Sequence, residues 1–403
     1  MLTRLIAMFA VAAAASSAYS QSARDLGVPL AGTPGPLNAI TDVAGVEVGH
    51  ATIIAGSGRL AVGKGPIRTG VTAILPRGKV GQDSVFAAWF TLNGNGEMTG
   101  TTWIRESGIL ETPILITNTH SVGIARDALI EWLRAHGREF PWALPVVAET
   151  WDGLLNDING FHVKREHVFA ALNNASGGRV LQGAVGGGTG MVCNGFKGGI
   201  GTSSRKISER GGGYIVGVLV QCNYGNRRLL RIAGVPVGDL IKDKPMCYAS
   251  EVAPAAERFP GIPVCSSATQ PGTRERESDM GSIIIVVATD APLLPHQLDR
   301  VVKRAALGIG RLGGIASNGS GDIFIAFSTA NREAVSKADG TTSVTMLPND
   351  RIDWLFEATV QATEEAILNA MVAAEDMVGI NDLRVPALPE DEVKTIMEKY
   401  RVK

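Results

Sequence analysis

The sequence predicts an α/β or α+β fold in which helices cover β-sheets. Short apolar runs rich in β-branched residues, such as Ile283–Val287, recur between glycine-containing turns, as strands do. Segments with apolar residues at helical spacing, such as residues 121–136, lie between these runs. Strands and helices are mixed, but they do not follow the strict alternation of a doubly wound sheet.

The composition is that of a globular protein with a large core. The chain has 403 residues, of which 45% are hydrophobic and 19% are charged, enough for one large domain or two ordinary ones. The formal net charge of −1 gives no electrostatic reason to expect nucleic acid or a membrane as a partner. The 49 glycines predict many tight turns and close backbone approaches.

The N-terminus has the pattern of a signal peptide, residues 1–20. Met1–Arg4 are positively charged, Leu5–Ala15 form an apolar run, and small residues follow at the positions that a signal peptidase recognises. The run is too short to span a membrane. We therefore expect cleavage near Ser20, or slightly later near Ala23, and a periplasmic or secreted protein. An uncleaved N-terminal helix is the alternative.

The first half of the chain contains a clear helix and several strand candidates. The helix spans Ser121–His136, with Gly137 as its C-terminal stop and Asn118, Thr119 or Ser121 as its cap. The strand candidates are Val71–Leu75, Val85–Leu92, Ile114–Thr117, Leu144–Ala148 and Tyr214–Gln221.

Residues 240–281 differ in character from the rest of the chain. They are rich in proline and charge and show no clean period, which predicts a flexible linker without regular structure. Regular patterning returns after this linker. The predicted elements are the strand Ile283–Thr289, the helix Pro295–Leu307, the strand Ile323–Ser328 and the helix Ile352–Met377, which Gly379 ends.

The four cysteines indicate no metal site. Cys247 and Cys265 flank one loop-like region, and an oxidising compartment permits them to pair. Cys193 and Cys222 lie in strand-like contexts and are expected to be inert core thiols. Neither the cysteines nor the six histidines show the spacing of metal ligands.

Two familiar motifs are imitated but not matched. Ser121 follows a strand and precedes a helix, as a hydrolase nucleophile does, but Thr119 stands where a GxSxG elbow needs glycine. The glycine run 183–201 is followed by a strand-like segment and lacks Gly-Lys-Ser/Thr, so nucleotide binding is not expected. Its glycines are better explained by close approach of two strands or of a substrate backbone.

Gly281-Ser282 stands where the linker meets a β-branched run, which indicates either a turn or a cleavage site. If this bond is cut, Ser282 becomes an N-terminus with its own α-amine. Such an amine has an unperturbed pKa of about 7.7–8.0 and can accept the hydroxyl proton near neutral pH. One residue then supplies both nucleophile and base, and unhindered Gly281 suits attack on its carbonyl by the serine oxygen.

Six ordered blocks resemble the β-peptidyl aminopeptidase / L-aminopeptidase D-esterase-amidase family, and together they cover nearly the whole mature chain. The family implies a self-processing serine hydrolase with an αββα sandwich, similar to N-terminal-nucleophile hydrolases but with the connectivity shared with ornithine acetyltransferases. The blocks are DLGVPLAGTPGPLNAITDVAGVEVGH (25–50), ETWDGLLNDINGFHV (149–163), GAVGGGTGMVCNGFKGGIGTSSR (183–205), YIVGVLVQCNYG (214–225), GSIIIVVATDAPLLPHQLDR (281–300) and SNGSGDIFIAFST (317–329).

The resemblance implies a catalytic group of four residues. Ser282 is the nucleophile and the first residue of the smaller subunit, and Asn223 matches the asparagine that stabilises the oxyanion. Ser320 and Asp322 match the second serine and the acid, although members often have glutamate where this chain has Asp322. A hydroxyl and a carboxylate in this arrangement can orient and stabilise the protonated amine of Ser282.

Two further residues are implied to bind substrate. Glu149 matches the acid that pairs with the free amino group of the substrate, a role that needs an anion. Trp151 stands where some members have a tyrosine that assists the oxyanion, and its indole is assigned only to the pocket. Without the resemblance, Glu149 would pass for an ordinary loop carboxylate.

The sequence therefore predicts an exported aminopeptidase that cuts itself into residues 21–281 and 282–403 and forms one catalytic domain from both. It is expected to remove small N-terminal residues, among them β-amino acids or D-residues, from peptides, amides or esters. No metal or organic cofactor is implied, and family members assemble as homo-oligomers, commonly four processed pairs.

Two alternatives belong to other functional classes. An acyltransferase like the ornithine acetyltransferases has the same fold, but those enzymes use a threonine nucleophile and work in the cytoplasm. A periplasmic binding protein without catalytic activity would remain one intact chain after export.

Overall fold

The computed structural model describes residues 22–400 except residues 80, 82, 139–140, 243, 266–280 and 333–339. The predicted signal peptide and the last part of the predicted linker lie outside the described residues. The strands are β1 Glu47–Ala55, β2 Ile67–Leu75, β3 Val85–Gly94, β4 Ile109–Leu110, β5 Ile114–Asn118, β6 Val146–Thr150, β7 Val192–Cys193, β8 Phe196–Lys197, β9 Gly199–Lys206, β10 Ile215–Asn223, β11 Cys247–Tyr248, β12 Ser282–Thr289, β13 Gly321–Ser328, β14 Met377–Val378 and β15 Leu383–Val385. The helices are α1 Thr101–Ser107, α2 Val122–Ala135, α3 Arg165–Asn173, α4 Val237–Leu240, α5 Pro295–Val302, α6 Ala305–Arg311, α7 Asp353–Val372 and α8 Glu390–Lys399.

Two sheets form the centre of the fold. A four-stranded sheet has the order β1-β2-β5-β6, and a six-stranded sheet has the order β4-β3-β13-β12-β10-β9. Strand β12 lies inside the six-stranded sheet, antiparallel to β10 and parallel to β13. The strand that begins at Ser282 is thus held by backbone hydrogen bonds on both edges.

Both faces of β12 are covered, which explains its uninterrupted β-branched run. Side chains alternate along a strand, and in β12 all eight residues are buried. Ile283, Ile285 and Val287 join the core on the helix side of the sheet. Ile284 and Val286 join the core between the two sheets.

Helices close the outer faces of both sheets. On the four-stranded sheet, α2 and α3 contribute Leu129 and Leu172 to the outer core with Val71 and Leu115. On the six-stranded sheet, α7 packs on β9 and β10, α5 packs on β3 and β13, and α6 packs against α7. The layers are therefore helix, sheet, sheet, helix, and the predicted αββα sandwich is confirmed. Among the described helices, none is both long enough and apolar enough to cross a membrane.

The two C-terminal helices differ from the sequence prediction. The predicted helix Pro295–Leu307 is two helices, α5 and α6, because a turn at Lys303 and Arg304 interrupts it. Gly308 lets α6 pack closely on α7, since a methyl group there would lie 2.6 Å from Thr363 Cβ. The predicted helix Ile352–Met377 ends at Val372. Gly379 is not its stop: a methyl group on Gly379 would lie 2.4 Å from the backbone of Leu155, so this glycine permits a close approach between segments.

The start of α2 and the position of β6 also differ from the prediction. No side chain caps α2: Thr119 donates its hydroxyl to Glu149, and Asn118 donates to Thr69. The predicted strand Leu144–Ala148 runs instead over Val146–Thr150. The side chains of Asn118 and Thr119 were expected to cap α2, but they form hydrogen bonds to distant segments of the chain. Gly137, in the left-handed region with φ 77°, does follow the end of α2 as predicted.

The described part of residues 240–281 is more ordered than predicted. It contains β11, which pairs with β15, and Cys247 is bonded to Cys265. Tyr248 of β11 accepts a hydrogen bond from the main-chain N–H of Phe259 through its hydroxyl. Short pairings with distant strands leave no periodic pattern in a sequence, so this order could not be predicted from it.

The prediction for Cys193 and Cys222 is wrong, because the two are joined by a disulfide. Cys193 ends β7 and Cys222 is the penultimate residue of β10, and their Cα atoms lie 5.6 Å apart. Gly198 lies against both, since a methyl group there would be 2.5 Å from Cys193 Cβ and 2.6 Å from the Cys222 carbonyl oxygen. The glycine-rich hairpin brings together two cysteines that are 29 residues apart.

Candidate active site

Ser282 is the first residue of β12. It lies on the same face of this strand as Ile284 and Val286, which fill the core between the two sheets. Its Oγ donates a hydrogen bond to the carbonyl oxygen of Gly281, 2.8 Å away. The main-chain N–H of Gly321 donates to the same Oγ at 3.2 Å and to the Gly281 carbonyl oxygen at 3.3 Å. A hydroxyl, the carbonyl group that precedes it and a fixed N–H donor are therefore gathered at one peptide bond.

Gly281 is packed so closely that no side chain fits. A methyl group there would lie 2.0 Å from the carbonyl oxygen of Asn223 and 2.6 Å from the Cα of Tyr224. Both neighbours are backbone atoms that cannot rotate away. The sequence suggested glycine for chemical reasons at the carbonyl, and the structure adds a steric reason.

Asn223 is the last residue of β10 and the register partner of Ser282. Its Oδ1 accepts from the main-chain N–H of Val192 at 2.8 Å, and its Nδ2 donates to the carbonyl oxygen of Trp151 at 2.8 Å. An N–H can only donate and a carbonyl can only accept, so these partners determine which end of the amide is which. A primary amide has a second N–H, which can donate to a further acceptor.

Ser320 and Asp322 lie on either side of Gly321, the residue that pairs with Ser282 in the parallel register. Both are buried, and the Ser320 Oγ donates to Asp322 Oδ1 at 2.7 Å. The strand pairing thus brings the predicted second serine and acid next to the predicted nucleophile.

Residues 93–96, which the sequence analysis did not single out, hold the loop before β13. Asn93 donates from its side-chain amide to the carbonyl oxygens of Ala316 and Ser317, the latter at 2.5 Å. Asn95 donates to the carbonyl oxygen of Gly319 at 2.8 Å. The loop sequence NGNG looks like an ordinary turn, so nothing short of the contacts could identify this supporting role.

Glu149, near the end of β6, is a buried carboxylate with two donors. Its Oε1 accepts from the main-chain N–H of Glu97 at 2.8 Å, and its Oε2 accepts from the Thr119 hydroxyl. A methyl group on Gly96 would lie 3.2 Å from Glu149 Oε1 and 3.3 Å from Gly321 Cα, so the carboxylate and the Ser282 partner share one glycine neighbour. Burial raises the pKa of Glu149, and the two hydrogen bonds oppose that shift.

Trp151 is partly exposed and contacts the described part of the linker. Its ring meets the ring of Phe259 edge to face, with 6.1 Å between centroids. The next residue, Asp152, is fully buried, and Asn156 donates to its Oδ1 at 3.0 Å. Burial raises the pKa of Asp152 to about 7. The motif ETWDGLLND therefore combines a partly exposed aromatic ring with a buried carboxyl group that holds the turn behind it.

Gln221 joins the two sheets beneath this site. Its Nε2 donates to the carbonyl oxygen of Thr117 at 3.0 Å and to Thr150 Oγ1 at 2.9 Å. Along β10 it has the same side-chain direction as Asn223, two residues on. This contact aligns the ends of β5 and β6 with the end of β10.

The two motifs that the sequence imitates have structural roles. Ser121 is buried at the start of α2. The glycine run 183–201 forms turns and strands and does not lead into a helix. Its glycines permit close backbone approaches, but not only between strands as predicted: a methyl group on Gly201 of β9 would lie 1.9 Å from the carbonyl oxygen of Ala366 on the helix α7.

This arrangement is suited to acyl transfer. It places a hydroxyl nucleophile beside a fixed amide N–H donor, a serine–carboxylate pair and a buried anion. An amide N–H directed at a developing oxyanion typically contributes about 10²- to 10³-fold in rate. A buried anion at the edge of the site can receive the ammonium group of a substrate.

Comparison with known proteins agrees with this chemistry. The model of peptidase family S58 matches residues 38–385. The chain is 54% identical over 389 residues to beta-peptidyl aminopeptidase BapA from Sphingosinicella microcystinivorans, covering 96% of this chain and 95% of that protein.

Solved structures show the same fold. The beta-aminopeptidase from Burkholderia sp. is 45% identical with a TM-score of 0.80, covering 94% of this chain and 99% of that one. The L-aminopeptidase D-Ala-esterase/amidase from Ochrobactrum anthropi is 43% identical with a TM-score of 0.82 and the same coverage. The latter is described as a prototype for the serine aminopeptidases and as a new variant among the Ntn hydrolase fold. The predicted family resemblance and fold are confirmed.

Gly281→Ala should slow the cleavage of the chain before Ser282. Because the added methyl group would overlap the Asn223 carbonyl oxygen, residues 281 and 282 must move away from their partners. We expect cleavage of the chain at residue 282 to be slowed at least about tenfold, by analogy with the cost of a misplaced reacting group. Intact-mass analysis during a time course measures this. Gly123→Ala on α2, where a methyl group meets nothing within 4 Å, is the control; equal cleavage rates in both variants would contradict the prediction.

Proposed function

Because the chain belongs to peptidase family S58, we propose that it is a serine aminopeptidase that activates itself by cutting the bond between Gly281 and Ser282. The observation that carries this proposal is the position of the Ser282 hydroxyl, 2.8 Å from the Gly281 carbonyl oxygen. Gly321 donates to both of these oxygens. The position of the Ser282 hydroxyl beside the Gly281 carbonyl group supports this proposal.

Self-cleavage proceeds through an ester. Ser282 Oγ attacks the Gly281 carbonyl carbon, the bond to the Ser282 nitrogen breaks, and the hydroxyl proton ends on that nitrogen. Water then hydrolyses the ester, which leaves a carboxylate on Gly281 and a free amine and hydroxyl on Ser282. The Gly321 N–H, already bonded to the Gly281 carbonyl oxygen, supports the negative charge that forms there.

The free amine then serves as the base for turnover. It accepts the Ser282 hydroxyl proton while Oγ attacks the substrate carbonyl, and the protonated amine returns the proton to the leaving group. The second N–H of Asn223 stabilises the oxyanion. The Ser320–Asp322 pair stabilises the protonated amine, and water releases the acyl group from Ser282 in a second step.

The cut divides the chain but not the core. Residues 21–281 supply β10 and β3, and residues 282–403 supply β12 and β13, which lie between these two strands in one sheet. Helix α7 of the smaller piece also packs on β9 and β10 of the larger one. The two products therefore remain one catalytic domain.

The substrate is proposed to be a small residue with a free amine at the N-terminus of a peptide, amide or ester. Glu149 supplies the anion for that amine. A short acyl part is favoured because Glu149 and Gly321, the pairing partner of Ser282, are both neighbours of Gly96. The similar proteins named for β-amino substrates favour β-amino acids. Comparing release of p-nitroaniline from the β-alanine, L-alanine and D-alanine anilides tests this; no hydrolysis of any of them would sink the proposal.

Export and assembly complete the proposal. The N-terminal pattern and the disulfides Cys193–Cys222 and Cys247–Cys265 support a periplasmic or secreted location, because disulfides persist in oxidising compartments; full recovery in the cytoplasmic fraction would contradict it. The family resemblance supports a homo-oligomer of processed pairs, commonly four. Light scattering that gives one pair per particle would contradict that.

Ser282→Ala should give a single uncut and inactive chain. The substitution removes the attacking oxygen but leaves the strand pairing of β12 unchanged. Intact mass should show two chains for the wild type, the smaller one starting at Ser282, and one for the variant. The matched control is Ser107→Ala, at an exposed hydroxyl on α1. If Ser282→Ala still cleaves and hydrolyses, the nucleophile is another residue.

Glu149→Gln should weaken recognition of the substrate amine. A charge-assisted hydrogen bond contributes about 1.5–3 kcal/mol, so we expect KM to rise roughly ten- to hundredfold. The chain should still be cut at residue 282. Glutamine can accept from the Glu97 N–H and donate to Thr119 Oγ1, so the local contacts persist.

The pH dependence of Glu149 provides a second readout. Because burial raises its pKa, its charge, and with it the binding of an ammonium, is lost as the pH falls through that raised value. The wild-type KM should therefore rise toward acid pH, and the KM of Glu149→Gln should lack that limb. A carboxyl whose pKa is higher in the folded than in the unfolded chain destabilises the fold above both values, so the variant should not melt earlier at neutral pH. An unchanged KM would argue against the assignment.

A further inference from the structure

Lys197 is a buried cation that the proposed mechanism does not use. It ends β8, it is 0% exposed, and its ammonium group donates to three main-chain carbonyl oxygens. These belong to Met191 at 2.7 Å, Gly198 at 2.9 Å and Gly188 at 3.4 Å. Burial is the cause that lowers the pKa of Lys197, to about 7. Burial of an ammonium group costs free energy, so we expect Lys197 to have a functional role.

The carbonyl nearest to Lys197 belongs to the peptide unit that orients Asn223. The oxygen of the Met191–Val192 peptide accepts from Lys197 Nζ at 2.7 Å, and the N–H of the same peptide donates to Asn223 Oδ1 at 2.8 Å. The pairing of Val192 with Lys197 across the β7–β8 hairpin maintains this geometry. Two amide groups therefore stand in series between the ammonium group and the Nδ2 of Asn223.

We propose that Lys197 is a positioning residue for the oxyanion site, and that it acts through the Met191–Val192 peptide to orient and polarise the side-chain amide of Asn223. This inference rests on the proposed function, in which Asn223 donates to the oxyanion. Positive charge at the Met191 oxygen makes the Val192 N–H a stronger donor. A stronger bond at Asn223 Oδ1 makes the Nδ2 protons more acidic, since hydrogen bonds in a chain strengthen one another at low dielectric.

The relay is expected to matter most in the transition state. The oxyanion bears a full negative charge, whereas the ground-state carbonyl oxygen bears only a partial one. A contribution that grows with this charge lowers kcat when it is removed and leaves KM nearly unchanged. A role confined to holding the glycine-rich hairpin in place predicts a loss of stability, with no particular dependence on Asn223.

Lys197→Met tests the charge while keeping most of the packing. We expect kcat per cleaved chain to fall about tenfold, a part of the about 10²- to 10³-fold that one oxyanion donor supplies, with KM about unchanged. Lys197→Arg keeps the charge and should retain more kcat than Lys197→Met. Lys206→Met, at an exposed lysine on β9, is the control. Wild-type kcat in Lys197→Met would overturn the inference.

A double-mutant cycle separates this inference from the proposed function. If Lys197 acts through Asn223, Lys197→Met should reduce kcat in the wild type but not further in Asn223→Ala. Equal factors in both backgrounds would show a merely structural role and overturn the inference. If Asn223→Ala keeps wild-type kcat, the oxyanion assignment itself fails. If only Asn223→Ala loses activity, the proposed function stands and the Lys197 relay does not.

If the Lys197 variants do not fold, a measurement on the unaltered enzyme tests whether the Met191–Val192 peptide and Asn223 respond together. The probe is 2-aminoethylboronic acid, which forms with a serine a tetrahedral boronate anion that presents an oxygen to the oxyanion site. In enzyme labelled with nitrogen-15 at valine and asparagine, the relay predicts that the Val192 amide and the Asn223 side-chain amide both shift downfield when the adduct forms. A shift at Asn223 with none at Val192 would overturn the inference.

Discussion

The register of β12 between β10 and β13 is the constraint on which the rest of this structure depends. It pairs Ser282 with Asn223 on one side and with Gly321 on the other. Because side chains alternate, a slip by one residue would turn the Ser282 side chain to the opposite face of the sheet. The buried apolar residues of β12 oppose such a slip, since the same slip would exchange the two cores that they fill. Core packing and the proposed catalytic geometry are thus set by one set of strand contacts.

Close backbone contact is the second requirement, and it explains several glycines together. Gly281 lies against the carbonyl oxygen of Asn223. Gly321 lies against the carbonyl oxygen of Asn95, which would be 2.3 Å from a methyl group on that glycine. Gly96 separates Glu149 from Gly321. Side chains at these positions would push apart the segments that carry the proposed nucleophile, its hydrogen-bond donors and the carboxylate of Glu149. The site is built from backbone as much as from side chains, and so the proposed cut between Gly281 and Ser282 can leave it in place.

Buried polar groups surround the site, and each is compensated in a different way. Glu149 accepts from a main-chain N–H and a hydroxyl. Asp152 has a pKa raised by burial to about 7, and Lys197 has a pKa lowered by burial to about 7. Burial disfavours the charged form of both side chains, and this raises the pKa of the acid and lowers the pKa of the base. The hydrogen bonds of an oxyanion site are strongest in buried surroundings of this kind, where the dielectric constant is low.

The sequence by itself determined the strands and helices with strong periodicity, the position of the Gly281-Ser282 pair and, through the resemblance, the family and the αββα fold. It determined these because burial on one or both faces of an element leaves a local pattern. Only the tertiary structure decided that Cys193 pairs with Cys222, that Thr119 bonds Glu149 and does not cap α2, that Asn93 and Asn95 hold the Ser320 loop, and that Lys197 reaches the Asn223 network. These contacts join residues that are distant in the chain and have no period in common, so they arise only when the two sheets stack and bring the strand ends together.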